Sequence, residues 1–229
     1  MSERCWAVIP AAGVGRRMAS ATPKQYMQVA GKTVLEHTLN ILLAQAEITG
    51  AIIALSEKDE YWQDLHYQSE KPLLHANGGQ ERFHSVLNAL KTLQETASLN
   101  DWVLVHDAAR PCVSSADLKR LISTVKKQNR GGLLACRVRD TMKRSGVNDR
   151  VVATENRENL WHALTPQMFR LGELVEAIES AIAGQVDMTD DASAMELFGY
   201  QPLLVEGSHA NIKITHPEDL LVAEAILKN

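Results

Sequence analysis

The stretch VIPAAGVGRRMASATPKQY, from Val8 to Tyr26, decides how this chain is expected to fold. It begins inside an apolar run, Cys5–Ile9, that is typical of a buried strand, and a glycine loop follows this run directly. In open α/β folds such a loop lies at the carboxyl end of a parallel sheet, where ligands bind. Gly13 and Gly15 would let backbone amides approach a phosphate with no Cβ in the way. The stretch therefore predicts an anion-binding loop on a parallel sheet.

Short strand-like segments alternate with longer amphipathic segments along the rest of the chain. Strands are predicted over 51–55, 102–107, 133–138 and 202–205, and helices over 33–46, around 83–90, 118–125 and 171–182, and from Thr215 onward. The sequence THPE supplies Thr215 as the expected cap of the last helix, with Glu218 three residues later. This alternation predicts an α/β fold with a Rossmann-like, mostly parallel twisted sheet and helices on both faces.

Length and composition indicate one compact domain, residues 1–229, in a cytoplasmic protein. The chain has 229 residues, 45% of them hydrophobic, and a net charge of −4. No stretch approaches the roughly 18 apolar residues of a membrane span, so neither a membrane segment nor a signal peptide is expected. Cys5, Cys112 and Cys136 have no C-x-x-C spacing and are expected to be small buried hydrophobes in a reducing compartment. The mild acidity, without basic runs, argues against nucleic acid as a partner.

A charged segment, Arg139–Glu158, interrupts the alternation and has too few large apolar residues to be core. Long insertions without regular structure in compact domains are usually functional or disordered. The segment is therefore either a mobile solvated loop or an extended arm that finds its partner on another subunit. We favour the arm and give it the bounds 137–158.

The positively charged residues in and after the glycine loop say more about its ligand than the glycines do. The dinucleotide fingerprint G-x-G-x-x-G fails, because Met18 stands at its third glycine, which disfavours a dehydrogenase. Arg16 and Arg17 follow the glycines and Lys24 comes a few residues later, a set that can surround several phosphates of a nucleoside triphosphate. The alternative is a surface loop with solvated arginines.

Three further stretches carry candidate site residues. GGQERFHSV places two glycines before a helix, and NIKIT places Lys213 just before the last helix. VHDAARP places Asp107 at the end of a strand, a position typical of a residue that caps the strand. Arg110 would contact a ligand or pair with Asp107, and we favour the pairing. His106 is expected to be a packed, hydrogen-bonded histidine and not a base.

Together these stretches resemble the 2-C-methyl-D-erythritol 4-phosphate cytidylyltransferase family of nucleotidyltransferases, which serves isoprene biosynthesis by the non-mevalonate pathway. The motifs that carry the resemblance span nearly the whole chain: PAAGVGRRM, PKQY, GGQERFHSV, VLVHDAARPC, VRDTMKR, NRENLWHALTPQMF, TDDASAME and VEGSHANIKIT. The resemblance implies transfer of CMP from CTP to 2-C-methyl-D-erythritol 4-phosphate by in-line attack on the α-phosphorus, with release of pyrophosphate and with Mg²⁺ held mainly by the CTP phosphates. A phosphate monoester, with a second pKa of about 6, needs no protein base to become a nucleophile. Charge stabilisation must then carry the catalysis.

The resemblance also implies roles for individual residues. Arg17, Lys24 and Lys213 would be the catalytic cations. The nucleotide would be bound by Ala11, Ala12, Gly13, Gly15, Gly79, Gln80 and Ser85, although Gln80 departs from the aspartate of the family pattern. The acceptor side would use Asp107, Arg110, Thr141, Arg157, Thr165 and Thr189.

The family resemblance makes the arm a means of forming a homodimer whose sites are shared between subunits. Two alternatives stay open at this point. A ribitol 5-phosphate cytidylyltransferase would share the nucleotide half of the motifs, and a non-catalytic nucleotide-binding regulatory protein would keep the fold but lose the loop cations. Arg17, Lys24 and Lys213 are all present, which disfavours the regulatory protein.

Overall fold

The computed structural model describes residues 3–13 and 22–228, and its centre is a seven-stranded sheet. The seven strands are β1 (Cys5–Pro10), β4 (Gly50–Leu55), β5 (Leu73–Asn77), β6 (Trp102–Val105), β7 (Gly132–Arg137), β10 (Trp161–Arg170) and β11 (Leu203–Glu206). Their order is β11-β7-β10-β6-β1-β4-β5. All neighbours pair in parallel except β10, which runs antiparallel to both β6 and β7. The predicted α/β class with a mostly parallel sheet is confirmed.

Helices cover both faces of this sheet, as predicted. They are α1 (Val34–Leu43), α2 (Arg82–Leu93), α3 (Ser115–Gln128), α4 (Leu171–Ala183), α5 (Asp191–Leu197) and α6 (Pro217–Leu227). Alternate residues of β1 point to opposite faces: Ile9 packs in the core that includes residues of α1 and α3, while Val8 packs in the core that includes residues of α2, α4 and α5. Strands buried on both faces explain the near-continuous apolar runs of the sequence.

The last helix begins later than the sequence predicted. Its cap is His216, not Thr215, and Asp219, not Glu218, completes the capping interaction. The Asp219 carboxylate accepts hydrogen bonds from the backbone N–H groups of Thr215 and His216, both at 2.8 Å. Pro217 explains the difference, because the residue before a proline is driven to extended backbone and cannot itself be helical.

The charged segment forms a small hairpin that stands apart from the main sheet. Its strands, β8 (Lys143–Ser145) and β9 (Val151–Thr154), pair antiparallel with each other. A second small hairpin, β2 (Gln28–Val29) with β3 (Lys32–Thr33), leads into α1, whose cap Thr33 forms a capping box with Glu36. Residues 141–154 are all solvent-exposed, so the expectation that this segment is not core is confirmed.

Cys5, Cys112 and Cys136 are buried free thiols, as expected, and burial raises the pKa of each. Among the helices that the structure describes, none has the length and apolar character to cross a membrane.

Candidate active site

The loops that follow β1, β5 and β6 surround a cleft of about 460 Å³ at the carboxyl edge of the sheet. This is the edge at which open α/β sheets bind ligands, and the volume suits a small molecule. The lining residues come from five separate parts of the chain: Pro10–Gly13, Lys24 and Gln25, Gly79–Arg82 with Ser85, Asp107–Ala109, and Lys213.

Two of the three predicted catalytic cations meet in this cleft. Lys24 begins a 3-10 turn, Lys24–Tyr26, and its Nζ donates a hydrogen bond to the carbonyl oxygen of Ile214 at 3.0 Å. The neighbouring residue, Lys213, places its Nζ 2.9 Å from Oδ2 of Asp107. The third cation, Arg17, lies outside the described residues, as do Gly15, Arg16 and Met18.

Asp107 is the centre of a cluster of cations. Its Oδ1 accepts a hydrogen bond from Nε of Arg82 at 2.8 Å, and its Oδ2 faces Nζ of Lys213 at 2.9 Å and Nε of Arg110 at 3.5 Å. Burial alone would raise the pKa of this carboxyl group, but the cations outweigh burial and hold the pKa well below its usual range. Asp107 is thus a carboxylate with no tendency to take up a proton, and Arg110 pairs with it as we favoured.

His106 is buried and fixed by hydrogen bonds at both ring nitrogens. Nε2 lies 3.0 Å from the carbonyl oxygen of Arg110, and Nδ1 lies 2.9 Å from Oγ1 of Thr165. Burial lowers the pKa of His106 to about 4, so the imidazole is neutral near pH 7. A neutral ring donates from Nε2 to the carbonyl and accepts at Nδ1 from the hydroxyl. The expectation of a packed histidine is confirmed.

Close packing shapes the loop that lines the cleft between β5 and α2. A Cβ on Gly78 would stand 2.2 Å from Cβ of Ala12, and a Cβ on Gly79 would stand 2.2 Å from Cβ of His84, so neither position accepts a side chain without movement. The backbone N–H of Gly79 donates to Oγ of Ser85 at 2.9 Å. Ser85 therefore fixes this loop, and the exposed Gln80 is carried on it.

The predicted acceptor-side residues do not gather at one point of the described chain. Thr141 and Arg157 lie on the exposed arm, and Thr189 is exposed two residues before α5; none of the three lines the cleft. Thr165 is buried directly behind Asp107, because its Oγ1 accepts a hydrogen bond from the Asp107 backbone N–H at 3.1 Å.

Arg82 is a site residue that the sequence reasoning did not identify. It is the first residue of α2, and it bonds both Asp107 and Asp191, two buried carboxylates. Burial opposes its charge, but the two carboxylates outweigh burial and raise its pKa above the usual value. The available signal was its position directly after the glycine loop GGQE.

Comparison with known proteins identifies the family of this chain. The model of the family described as IspD, 2-C-methyl-D-erythritol 4-phosphate cytidylyltransferase, matches residues 5–229. This chain belongs to that family. An enzyme of that name from Pseudomonas putida (strain GB-1) is 51% identical over 216 residues, which cover 94% of this chain and 92% of that protein. The namesake from Vibrio vulnificus (strain YJ016) is 49% identical over 221 residues, covering 96% of this chain and 93% of its own length.

Solved structures of the IspD family have the same fold. A crystal structure of a 4-diphosphocytidyl-2C-methyl-D-erythritol synthase aligns with a TM-score of 0.87 at 36% identity, covering 99% of this chain and 100% of that one. The Francisella tularensis 2-C-methyl-D-erythritol 4-phosphate cytidylyltransferase aligns with a TM-score of 0.85 at 38% identity, covering 98% and 100%. The family membership favours a 2-C-methyl-D-erythritol 4-phosphate cytidylyltransferase over the ribitol 5-phosphate enzyme and over the regulatory protein.

Proposed function

We propose that this protein transfers CMP from CTP to 2-C-methyl-D-erythritol 4-phosphate, giving 4-diphosphocytidyl-2-C-methyl-D-erythritol and pyrophosphate. One observation carries the proposal: Lys24 and Lys213, 189 positions apart in the chain, meet in one cleft at the carboxyl edge of the sheet. Family membership, which names the reaction of the relatives, supports the identity of both substrates.

The reaction requires no proton transfer. An oxygen of the acceptor phosphate forms a bond to the α-phosphorus of CTP, and the bond from that phosphorus to the oxygen bridging to the β-phosphate breaks. Pyrophosphate leaves with the electron pair of that bond. Near neutral pH the acceptor phosphate is largely dianionic, so it attacks without a base. His106 could not act as a base in any case, since both of its ring nitrogens are occupied.

Cationic side chains reduce the repulsion between the two anionic reactants. In our proposal Arg17 and Lys24 bind the triphosphate, while Lys213 stabilises the charge that develops around the α-phosphorus. Lys213 is 38% exposed, which leaves it able to turn from Asp107 toward a bound phosphate. Arg110 is less mobile, because its Nη1 also donates to the carbonyl oxygen of Asn211 at 2.7 Å.

The nucleotide half of the cleft suits a pyrimidine held by backbone groups. We assign this role to six residues that line the cleft, Ala11, Ala12, Gly13, Gly79, Gln80 and Ser85. We assign it also to Gly15, which lies outside the described residues. A narrow pocket of small residues would admit cytosine and exclude a purine. Gln80 would bond the base or ribose through its neutral amide.

The described residues are compatible with a magnesium ion carried largely by the substrate. They include no group of three histidine, cysteine, aspartate or glutamate side chains able to hold a metal, while Asp107 and Glu81 line the cleft. Mg²⁺ commonly takes one or two carboxylates and completes its shell with substrate phosphates and water. When bound, it would neutralise phosphate charge and orient the triphosphate.

We further propose a homodimer in which the arm, residues 137–158, completes the acceptor site of the partner subunit. The arm presents apolar side chains to solvent: Val147 is 86% exposed, Val151 63% and Val152 68%. Exposed apolar groups of this kind mark interaction surfaces. Thr141 and Arg157 lie on this arm and would reach the acceptor phosphate of the other subunit, with Thr165 and Thr189 contributed by the subunit that binds CTP.

We propose that residues 1–229 form a single nucleotidyltransferase domain that acts in the cytoplasm, with CTP and the sugar-alcohol phosphate as its small-molecule partners and with no nucleic acid or membrane partner.

Pyrophosphate release tests the proposal directly. The purified protein is incubated with CTP and Mg²⁺, with either 2-C-methyl-D-erythritol 4-phosphate or ribitol 5-phosphate as acceptor. We expect release with the former and less than one hundredth of that rate with the latter. Release with ribitol 5-phosphate alone, or with neither acceptor, would refute the proposed function.

A further inference from the structure

The Arg82 side chain joins two parts of the molecule that are distant in sequence. Its Nε donates to Oδ1 of Asp107 at 2.8 Å. Its Nη1 and Nη2 donate to Oδ1 and Oδ2 of Asp191 at 3.1 and 2.9 Å. Arg82 begins α2, Asp107 follows β6 and Asp191 begins α5, so one guanidinium connects three elements.

Asp191 depends on this contact. Its side chain is 1% exposed, and within residues 3–13 and 22–228 it forms a salt bridge with Arg82. Burial raises the pKa of Asp191 in spite of the nearby guanidinium, because a site without water disfavours the charged form of the carboxyl group. Removal of one partner from a buried ion pair leaves a charge that costs more than the pair contributes.

A second buried side chain, Gln167, binds the turn 189–192, which leads into α5 and contains Asp191. Gln167 of β10 accepts a hydrogen bond from the backbone N–H of Ala192 at 2.7 Å and donates to Oδ2 of Asp190 at 2.8 Å. Gln167 fixes the turn 189–192 to β10, whereas Arg82 fixes it to Asp107, the carboxylate that also holds Lys213. Arg82 thus connects this turn to the nucleotide cleft through hydrogen bonds to both carboxylates.

We propose that Arg82 is a positioning residue that, by bridging Asp107 and Asp191, holds the turn 189–192 in register with the nucleotide cleft and so sets the affinity for the acceptor. This inference rests on the proposed function, in which Thr189 of that turn contacts the acceptor. Arg82 acts through the turn and not on the triphosphate, because all three of its donor nitrogens are directed at carboxylates.

Three variants separate this role from a general loss of structure. Arg82→Met removes the guanidinium group. Arg82→Lys keeps the charge but cannot bond two carboxylates in the same way. Asp191→Asn preserves the shape of the side chain and leaves the contact between Arg82 and Asp107 in place. The matched control is Arg4→Met, because Arg4 forms a comparable ion pair with the buried Asp101 at 3.0 Å, at the start of β1 and away from the cleft.

The experiment compares CTP binding with acceptor kinetics. The Kd for CTP is measured by calorimetry without acceptor, and the acceptor KM and kcat are measured by pyrophosphate release at saturating CTP. We expect the acceptor KM to rise at least tenfold in all three variants, with the Kd for CTP changed less than threefold in Asp191→Asn. Arg4→Met should change neither quantity.

Two results would overturn the inference. One is an acceptor KM within twofold of wild type in folded Asp191→Asn, which decides the matter even if Arg82→Met does not fold. The other is an equal loss of CTP affinity and acceptor affinity in Asp191→Asn. Failure of the proposed function would look different, since the wild-type protein would then release no pyrophosphate with 2-C-methyl-D-erythritol 4-phosphate.

Discussion

Replacement of Lys213 by alanine should separate catalysis from stability. The Lys213 ammonium lies 2.9 Å from Asp107, and its side chain is 38% exposed. Without it, Asp107 keeps Arg82 at 2.8 Å and Arg110 at 3.5 Å, so no buried charge is left unpaired. A partly exposed ion pair contributes only about 0–1 kcal/mol. We therefore expect Lys213→Ala to lower the free energy of unfolding by no more than about 1 kcal/mol.

The loss of turnover should be much larger. A unit charge about 4 Å from a phosphate oxygen interacts with it by about 4 kcal/mol at an effective dielectric constant near 20. Part of this is offset because the ammonium must leave Asp107 to make the new contact. A net loss of about 2.7 kcal/mol in the transition state corresponds to a hundredfold decrease in kcat.

The assay is pyrophosphate release at saturating CTP and acceptor, beside urea unfolding of the same preparations. The matched control is Lys91→Ala, which removes an exposed lysine paired with Glu179 at 2.6 Å on a surface that does not line the cleft. A kcat within threefold of wild type in Lys213→Ala would refute the reasoning. So would a loss of stability large enough to unfold the variant under assay conditions.

Three further predictions concern other parts of the molecule. His106 has a pKa of about 4 in the folded protein and about 6.5 in the unfolded chain, so between these values only the unfolded chain binds the proton. We therefore expect the free energy of unfolding to fall by about 2 kcal/mol from pH 7.5 to pH 5 through this group. Urea unfolding at the two pH values should show a decrease smaller by this amount in His106→Asn. The double variant Val147→Asp/Val152→Asp should shift the protein from dimer to monomer in light scattering and lower kcat at least tenfold, and an unchanged dimer would contradict the proposed role of the arm. Gly79→Ala should raise the Kd for CTP at least fivefold in calorimetry, because the new Cβ meets His84; a wild-type Kd would show that the loop adapts.

Most of the fold could be predicted because periodicity and burial agree along the chain. Helix α1 illustrates this, with Leu35, Leu39 and Leu42 fully buried on one face. Strand β10 was not predicted, because WHALTPQMFR contains a proline and polar residues whose burial depends on contacts made elsewhere. Gln167, for example, is 1% exposed, and its amide is satisfied by Leu164, Asp190 and Ala192. The local sequence pattern does not specify hydrogen-bond partners that are distant in the chain.

The candidate site could be predicted only where its residues lie in sequence motifs. Lys24 and Lys213 were identified from motifs, and the fold brings both to one cleft. Arg82 was not identified, since an arginine in the first turn of a helix usually faces solvent, and the glycine loop before it does not specify which groups it contacts. Its partners lie 25 and 109 positions away, and only the tertiary structure places two carboxylates around it.

Two buried carboxylates offset the charge of the cations that gather beside the cleft. Arg82, Arg110 and Lys213 carry three positive charges against the two carboxylates Asp107 and Asp191, so this cluster keeps one net positive charge. Burial then divides the cations into two sets. Arg82 and Arg110, 27% and 11% exposed, are bound to carboxylates and backbone, whereas the more exposed Lys213 can move to a phosphate. In our proposal Lys213 leaves Asp107 when CTP binds. The two arginines would then keep Asp107 ionised, so that this movement leaves no buried carboxylate unpaired.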